Sequence, residues 1–344
     1  MPKLFDDIYY YQHPIGANCC VFVFKDGKDL DFIDTGISRA RIVQNVWQGM
    51  LKDGLDPRRI RSIYHTHSHF DHVQADLFFQ RKAFAGVDNV PVYVPKNDLH
   101  RMNADFSLAT SNFQELYQHF PRYPFITMKS QIFQFQHIFE PLMRYKIPNN
   151  VQGLENLQKV RLGKHTATVY MTGGHTEGHS FFHIDDAENI LVTGDHDALN
   201  EYTCNWRHTL EAVRLAEKLN PDNVFIGHNA PKLGHENAMK FINSYFKQYD
   251  EIFLPLFKHF YKGRRINLTK IILSKMGVVG KVKLAVFWAQ MALFAICKYF
   301  EELKLGYMEL VAPGELFFTI TADPKEMDLL NMIRYGEKRA EKLN

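Results

Sequence analysis

The chain has 344 residues, of which 46% are hydrophobic and 23% are charged, and its formal net charge is +3 at pH 7. This length and composition exclude a disordered or fibrous protein and allow a large buried core. The net charge is too small to indicate a nucleic-acid partner by itself. The four cysteines are scattered and form no Cys-x-x-Cys pair, which argues against a disulfide framework or a thiolate zinc site and favours a cytoplasmic location.

The hydropathy of the sequence predicts neither an export signal nor a membrane-spanning helix. The first residues are acidic where an export signal would have a basic region followed by an apolar core, so we predict no export signal. The longest apolar stretch, residues 284–297, is shorter than the roughly 17–25 residues of a spanning helix, and it contains Gln290. We expect a buried helix there and no transmembrane segment.

The first part of the chain alternates strands with a helix. Apolar residues at 18–24 and 30–33, separated by turn-forming residues, predict a hairpin. Apolar residues at helical spacing predict a helix over about 39–55, and residues 60–64 predict a short strand. This strand leads directly into a run rich in histidine.

A long aromatic-rich stretch over about 96–156 has a helical pattern, and we interpret it as an insertion between two halves of one domain. Beyond it we predict a helix near 210–219 and short strands at 167–171, 180–184, 189–193 and 223–226. The alternation predicts a mixed α/β fold in which helices cover the sheets.

The pattern changes again after about residue 235. Helical patterns at 268–276 and 282–305 precede an apparent hairpin of 307–311 and 316–321, and a charged amphipathic helix follows from 323. Helices followed by a hairpin are similar to a winged-helix module. We therefore expect a catalytic domain over 1–235 and a C-terminal helical, winged-helix-like α+β region over 236–344.

The histidine run carries the clearest chemical signal. His67, His69 and Asp71 follow a strand at two-residue spacing, which in an extended loop points their side chains the same way. His72 follows at the start of the next predicted helix and faces the same centre. Imidazoles with a carboxylate suit borderline divalent cations, of which zinc is the commonest, although iron or manganese also accepts such ligands.

This run, His67-Ser68-His69-Phe70-Asp71-His72, resembles the signature of the metallo-β-lactamase superfamily. Three later motifs resemble its remaining ligand motifs in the same order: Gly174-His175-Thr176, Thr193-Gly194-Asp195 and Gly227-His228-Asn229. The resemblance covers about residues 15–235. It implies an αβ/βα sandwich with the metals at the edge of the two sheets.

The resemblance also implies a role for each residue of these motifs. The first metal would be held by His67, His69 and His175, the second by Asp71, His72 and His228, and Asp195 would bridge them. Asp34 would support the ligand loop from behind. A hydroxide shared by two Zn²⁺ ions would be the nucleophile, and Asp71 would also pass a proton to the leaving group.

Other residues beside these motifs have plainer interpretations. We predict that His65, His179 and His196 are hydrogen-bond donors behind the ligands or polar surface residues. Residues 73–76 replace the superfamily's usual pair of glycines, which leaves the local helix packing open.

The core motifs serve hydrolysis of both acyl bonds and phosphodiesters, so the substrate has to be inferred from elsewhere. The aromatic insertion suits an apolar pocket, although packing of an extra helical layer explains it equally well. We favour hydrolysis of an ester-like bond (thioester, lactone or β-lactam) in a small molecule with an apolar part. The oligomeric state is not indicated.

The alternative is a phosphodiesterase or endoribonuclease. Residues 258–283 contain eight Lys or Arg and no acidic residue, and this stretch resembles the C-terminal part of lactamase-like hydrolases that include an endoribonuclease. RNA would be the partner. We instead favour an interpretation in which the basic residues form the solvated face of an amphipathic helix, because apolar residues including Ile266 recur at helical spacing. A di-iron redox role is weaker still, because an acidic residue usually stands where His69 does.

Overall fold

The computed structural model describes residues 3–12, 19–38, 40–83, 90–102, 148–196, 205–244, 265–267, 297–302, 304–312 and 315–321. The chain divides into two compact units. The first consists of Met1–Leu108, Gln134–Asp197 and Glu211–Lys240, and the second of Ala109–Phe133, Ala198–Leu210 and Phe241–Asn344.

The first unit begins with a six-stranded sheet in chain order. Its strands are β1 (Ile8–Gln12), β2 (Cys20–Asp26), β3 (Asp29–Ile33), β4 (Ile60–Tyr64), β5 (Val92–Pro95) and β6 (Val151–Leu154). The strands β1 to β3 pair antiparallel, and β3 to β6 pair parallel. Because the carboxyl ends of parallel strands meet at one edge, the loops after β3, β4 and β5 lie together.

Helices connect the strands of the two sheets. Within the described residues they are α1 (Ala40–Lys52), α2 (Phe70–Val73), α3 (Asp76–Lys82), α4 (Leu99–Met102) and α5 (Trp206–Leu219). Buried Val43, Val46 and Met50 share one face of α1, at the spacing of an amphipathic helix. They pack with Phe79 of α3 in a cluster that also contains outward-facing residues of the first sheet.

The second sheet has the order β12-β11-β10-β9-β8-β7. Its strands are β7 (Lys159–Leu162), β8 (His165–Met171), β9 (Ser180–Ile184), β10 (Ile190–Gly194), β11 (Asn223–Ile226) and β12 (Lys232–Leu233). Only β10 and β11 pair parallel among these strands. A parallel pair needs a crossover connection, which α5 provides.

Strand β2 shows how the sequence builds the layers. Successive side chains of a strand point to opposite faces, and both faces of β2 are covered. Val21 and Val23 join the cluster under α1 and α3, whereas Phe22 and Phe24 join the cluster between the sheets. Phe22 stacks on Phe225 of the second sheet with ring centroids 5.0 Å apart. The αβ/βα sandwich that the sequence predicted is therefore confirmed.

The main error of the sequence prediction concerns the insertion. Its expected range, 96–156, contains β6, which is a strand of the first sheet. The sequence Val-Gln-Gly-Leu has no run of β-branched or aromatic residues, so nothing in it indicated a strand. Strands β1, β5 and β7 were also not predicted. Residues 103–147 of the expected insertion lie outside the described residues.

The second unit contains a three-stranded antiparallel sheet in the order β13-β15-β14. Its strands are β13 (Arg265–Asn267), β14 (Gly306–Ala312) and β15 (Glu315–Ile320). The predicted hairpin is confirmed by β14 and β15. Ile266, which was assigned to an amphipathic helix, instead lies buried in β13 opposite Phe318, because strand pairing here outweighs the helical spacing of its neighbours.

The winged-helix interpretation stays a prediction. Most of the two predicted helices, 268–276 and 282–305, lies outside the described residues, as does the charged helix from 323. Residues 297–302 are helical.

Three of the four cysteines can be described. Cys19, Cys20 and Cys297 are buried and form no disulfide, and Cys204 lies outside the described residues. Over the same described part of the chain, no helix has the length and apolar character needed to cross a membrane.

Candidate metal centre

Seven residues that the sequence singled out come together at the ends of strands from both sheets. They form two groups, His67, His69, His175 and Asp195 in the first and Asp71, His72 and His228 in the second. Within each group, the nitrogen and oxygen atoms available to a metal lie within 4.8 Å of one another.

The first group joins the loop after β4 to the loop after β8. His69 Nδ1 lies 2.8 Å from His175 Nε2, and Asp195 Oδ2 lies 3.2 Å from the same His175 nitrogen. His67 Nε2 is buried and has no hydrogen-bond partner among the described residues. Burial first, and then neighbouring imidazoles, hold the pKa of His67 and of His69 well below the usual range. Neutral, closely facing imidazoles are the form that binds a metal ion.

The second group also contacts Asp195, through both of its carboxylate oxygens. His72 Nε2 is 3.0 Å from Asp195 Oδ1, and His228 Nε2 is 2.9 Å from Asp195 Oδ2. Asp71 Oδ2 is 3.7 Å from the same His228 nitrogen. Burial acts to lower the pKa of both histidines, but the Asp195 carboxylate outweighs it and raises that of His228 to about 9. Positive charge is therefore favoured at this position, and a cation can take the place of the protons.

Two glycines allow this close approach. Gly194 precedes Asp195 with φ 54°, and a Cβ there would lie 2.8 Å from side-chain atoms of Thr66. A Cβ on Gly227, which precedes His228, would lie only 2.3 Å from Asp195 Oδ1. Any larger residue at Gly227 therefore displaces the carboxylate that both groups share.

The local structure at Asp71 differs from the prediction. The sequence analysis placed Asp71 in an extended loop with His67 and His69, but α2 begins at Phe70 and includes it. The extended spacing ends at His69, and the helix turns Asp71 and His72 towards His228.

Asp34 is buried and contacts His72 of the second group. Its Oδ1 accepts from the Thr66 backbone N–H at 3.0 Å, and its Oδ2 accepts from His72 Nδ1 at 2.9 Å. Burial acts to raise the pKa of Asp34, but His72 and His65 outweigh it and hold the value at about 2. The hydrogen bond fixes the proton of His72 on Nδ1 and leaves Nε2 facing Asp195.

The sequence analysis missed the pairing of His65 with Asp76. His65 is fully buried between two carboxylates, with Nδ1 3.3 Å from Asp34 Oδ1 and Nε2 3.0 Å from Asp76 Oδ1. Burial acts to lower the pKa of His65, but Asp76 and Asp34 together raise it to about 9. Asp76 belongs to the segment that replaces the usual glycine pair. Its carboxylate also accepts from Thr35 Oγ1 at 2.7 Å.

Asp98 was also missed, and it ties two ligand loops together. It accepts hydrogen bonds from Ser68 N at 3.0 Å, Thr176 Oγ1 at 2.6 Å and Gly178 N at 2.7 Å. Its position just after β5 was the available signal, because the carboxyl ends of neighbouring parallel strands share one edge.

His179 and His196 are buried behind the first group and belong to neither group of candidate ligands. Their ring centroids are 4.6 Å apart. His179 Nδ1 lies 3.1 Å from Thr172 Oγ1, and His196 Nε2 donates to the Gly173 carbonyl at 3.4 Å. Burial holds the pKa of both below the usual range, at about 3 for His196. Neutral side chains at this depth support the loops around the candidate ligands.

Residues 15–228 match the sequence profile of the Metallo-beta-lactamase superfamily. The chain belongs to this superfamily. Two solved structures share its fold at 16% sequence identity. A metallo-beta-lactamase family protein from Thermus thermophilus has a TM-score of 0.66, covering 92% of this chain and 100% of its own. A beta-lactamase domain protein from Burkholderia ambifaria has a TM-score of 0.67, covering 93% of each chain. No curated protein matches significantly.

Proposed function

We propose that this chain is a dinuclear metal-dependent hydrolase that cleaves an ester-like acyl bond. His67, His69 and His175 hold the first metal in this proposal, and Asp71, His72 and His228 hold the second. The observation that carries it is the position of Asp195, whose two carboxylate oxygens face histidines of both groups. Catalysis is assigned to residues 1–235, which include every candidate ligand.

The residues present fit two divalent cations. The buried His67 Nε2 lacks a hydrogen-bond partner among the described residues, and His69 and His175 point nitrogens at each other, so a cation between them satisfies otherwise unfavourable contacts. Bound cations of this kind acidify a water molecule and stabilise negative charge that develops on the substrate.

The protein's own residues orient and balance this charge. Asp34 holds His72 in the tautomer that leaves Nε2 free for a cation, and Asp98 fixes the loops that carry His69 and His175. We assign to Asp71, the carboxylate of the second group, the role of passing a proton to the leaving group.

Zinc is the proposed metal because imidazole and carboxylate ligands suit it. A thiolate is not part of this ligand set. Cys19 Sγ lies 3.5 Å from His72 Nδ1, but burial raises the pKa of the thiol to about 12, so it stays protonated. If metal analysis finds iron or manganese at both sites, the proposed metal is wrong, but the proposed ligand residues stay the same.

A small molecule is favoured over RNA as the substrate. Arg265 of the basic stretch stacks on the Phe317 ring at 4.5 Å and pairs with Glu309 at 3.1 Å, so it is already engaged within the chain. We propose a thioester, lactone or β-lactam with an apolar part, with a phosphodiester as the alternative.

A substrate panel on metal-loaded protein tests this proposal. The panel contains an acyl thioester, an acyl homoserine lactone, a chromogenic β-lactam, bis(4-nitrophenyl) phosphate and a single-stranded RNA. We expect the highest kcat/KM on an acyl substrate, and the Asp195→Asn variant prepared in parallel controls for contaminating hydrolases. If the phosphodiester or the RNA has the highest turnover, the acyl-hydrolase proposal is wrong and the phosphodiesterase or nuclease alternative replaces it.

A further inference from the structure

Arg101 is a cation beside the candidate metal centre that the proposed chemistry does not use. It lies on α4, three residues after Asp98. Its side chain is 28% exposed, but its Nε is buried and has no hydrogen-bond partner among the described residues. Among the described residues, Asp98 Oδ1 lies 3.8 Å from Nε, which is within ion-pair distance but too far for a hydrogen bond.

Both carboxylate oxygens of Asp98 already accept hydrogen bonds from residues other than Arg101. Its Oδ1 accepts from the Gly178 N–H, and its Oδ2 accepts from Ser68 N and Thr176 Oγ1. The carboxylate is thus oriented by the two ligand loops, and it does not form the two parallel hydrogen bonds that a guanidinium makes with a well-placed carboxylate. The donors of Arg101 are left for another acceptor.

Arg101 also lies close to the first group of candidate ligands. Asp98, its nearest charged neighbour, binds the backbone of Ser68, which stands between His67 and His69. The guanidinium is therefore connected to the loop that carries His67 and His69 through a single residue, Asp98.

If these residues hold two dications, as proposed, a partly buried guanidinium next to them would be unfavourable without an anion. Lys and Arg side chains are usually paired when buried. The guanidinium fork matches a carboxylate with two hydrogen bonds, and such charge-assisted bonds contribute specificity as well as affinity. A substrate that brings its own carboxylate would supply the hydrogen-bond acceptor that Asp98 does not.

We propose that Arg101 is a specificity-determining residue that binds a carboxylate of the acyl substrate beside the first metal group. This inference rests on the proposed hydrolase function and narrows it. Thioesters or β-lactams with a free carboxylate are preferred over neutral lactones and neutral thioesters of the same size.

Two matched thioesters test the preference, S-phenyl thiobutyrate and the carboxylated S-phenyl monothioglutarate. We expect Arg101→Gln to raise KM for the carboxylated ester by about 10- to 100-fold, because the variant loses the charge-assisted hydrogen bonds to the substrate carboxylate. Its kcat, and all constants for the neutral ester, should change less than about twofold. Arg101→Lys should recover part of the loss, and the exposed Arg81→Gln on α3 is the matched control.

Calorimetry with glutarate on metal-loaded protein gives a readout that does not depend on turnover. Wild type should bind glutarate at least tenfold more tightly than Arg101→Gln. Equal losses on both thioesters, or unchanged glutarate affinity, would overturn the role of Arg101. Failure of wild type to hydrolyse either ester would instead contradict the hydrolase proposal, and the glutarate comparison would still decide whether Arg101 binds a carboxylate.

Discussion

Asp195 determines the charge balance of the site at the scale of single residues. It is one buried carboxylate, and each of its oxygens lies within about a hydrogen-bond length of an imidazole. Every histidine of the two groups is therefore affected by its charge, directly or through a neighbour. Substitutions of the candidate ligands are expected to act on metal content before they act on folding.

The first prediction concerns metal stoichiometry. Wild-type protein purified without chelator should contain about two metal ions per chain, and Asp71→Ala about one, because the first group keeps all its residues. Turnover of Asp71→Ala should fall by about 100-fold or more. Metal analysis and kcat measurements check this, with the exposed Asp29→Ala as control. One metal in saturated wild type contradicts the two-metal proposal.

The second prediction tests His65 and Asp76 as one unit. His65→Leu leaves two buried carboxylates facing each other, and Asp76→Leu leaves an imidazolium with one partner lost, so each should lower the free energy of unfolding by about 3–5 kcal/mol. The double variant should lose at least about 1 kcal/mol less than the sum. Denaturant unfolding measures these values.

The exposed Leu157→Ala provides the control for this cycle, because its side chain is 59% exposed. Combined with His65→Leu, it should give additive changes in the free energy of unfolding. Additive losses for His65→Leu and Asp76→Leu themselves would show that the two residues are not coupled.

At the scale of elements, the candidate ligands sit on short segments just beyond strand ends. His67 to His72 follow β4, Asp195 follows β10, and His228 follows β11. The ends of these strands are fixed by hydrogen bonds to a neighbouring strand on each side. Each ligand follows such an end within a few residues, so its position is well defined. The glycines beside Asp195 and His228 are part of this arrangement, since their missing side chains leave space for the carboxylate.

The third prediction uses Gly227. Its replacement by Ala places a methyl group where Asp195 Oδ1 lies, so Gly227→Ala should lose at least one metal ion and reduce turnover by about tenfold or more. Gly153→Ala in β6 is the matched control, because its nearest contact would be an ordinary 3.5 Å. Metal analysis and circular dichroism separate loss of metal from loss of fold. Full metal content in Gly227→Ala would contradict the proposed position of Asp195.

The sequence predicted the elements whose pattern is local. Strands β4, β9 and β11 are short and rich in β-branched or aromatic residues. The histidine run follows β4 directly, so its spacing indicated a metal site. The contacts of Asp76, Asp98 and Arg101 could not be predicted in this way, because they depend on which loops meet at a sheet edge. Strand β6 was missed because it is held by pairing with β5 and not by apolar residues of its own.

At the scale of the whole molecule, the superfamily match covers residues 15–228, and the basic stretch falls beyond it. The strand β13 and the engaged Arg265 show that part of this stretch belongs to a folded sheet. The charge of Arg265 therefore has a structural explanation, which is compatible with a small-molecule hydrolase.

The fourth prediction separates the hydrolase from the nuclease. Lys262→Glu with Arg264→Glu should leave kcat/KM on a small ester within about twofold, because neither residue is a candidate metal ligand and both lie outside the superfamily match, residues 15–228. A nuclease would instead bind single-stranded RNA with a logarithmic salt slope of about −0.7 per neutralised phosphate. Fluorescence anisotropy at several salt concentrations measures the binding.

Lys28→Glu with Lys52→Glu, two exposed positions of the first unit, makes the same change in net charge and serves as control. Micromolar RNA binding that only the Lys262 and Arg264 variant abolishes would favour the nuclease.

The facing pair His69 and His175 lies 106 residues apart along the chain. A chain emerging from the ribosome first exposes His67, His69, Asp71 and His72, which form only part of each group. Both groups are complete only after residue 228 has emerged and the second sheet has formed. If the full set binds metal as proposed, metal capture is a late step of biosynthesis, and the rate at which a refolding chain takes up metal should report the docking of its two sheets.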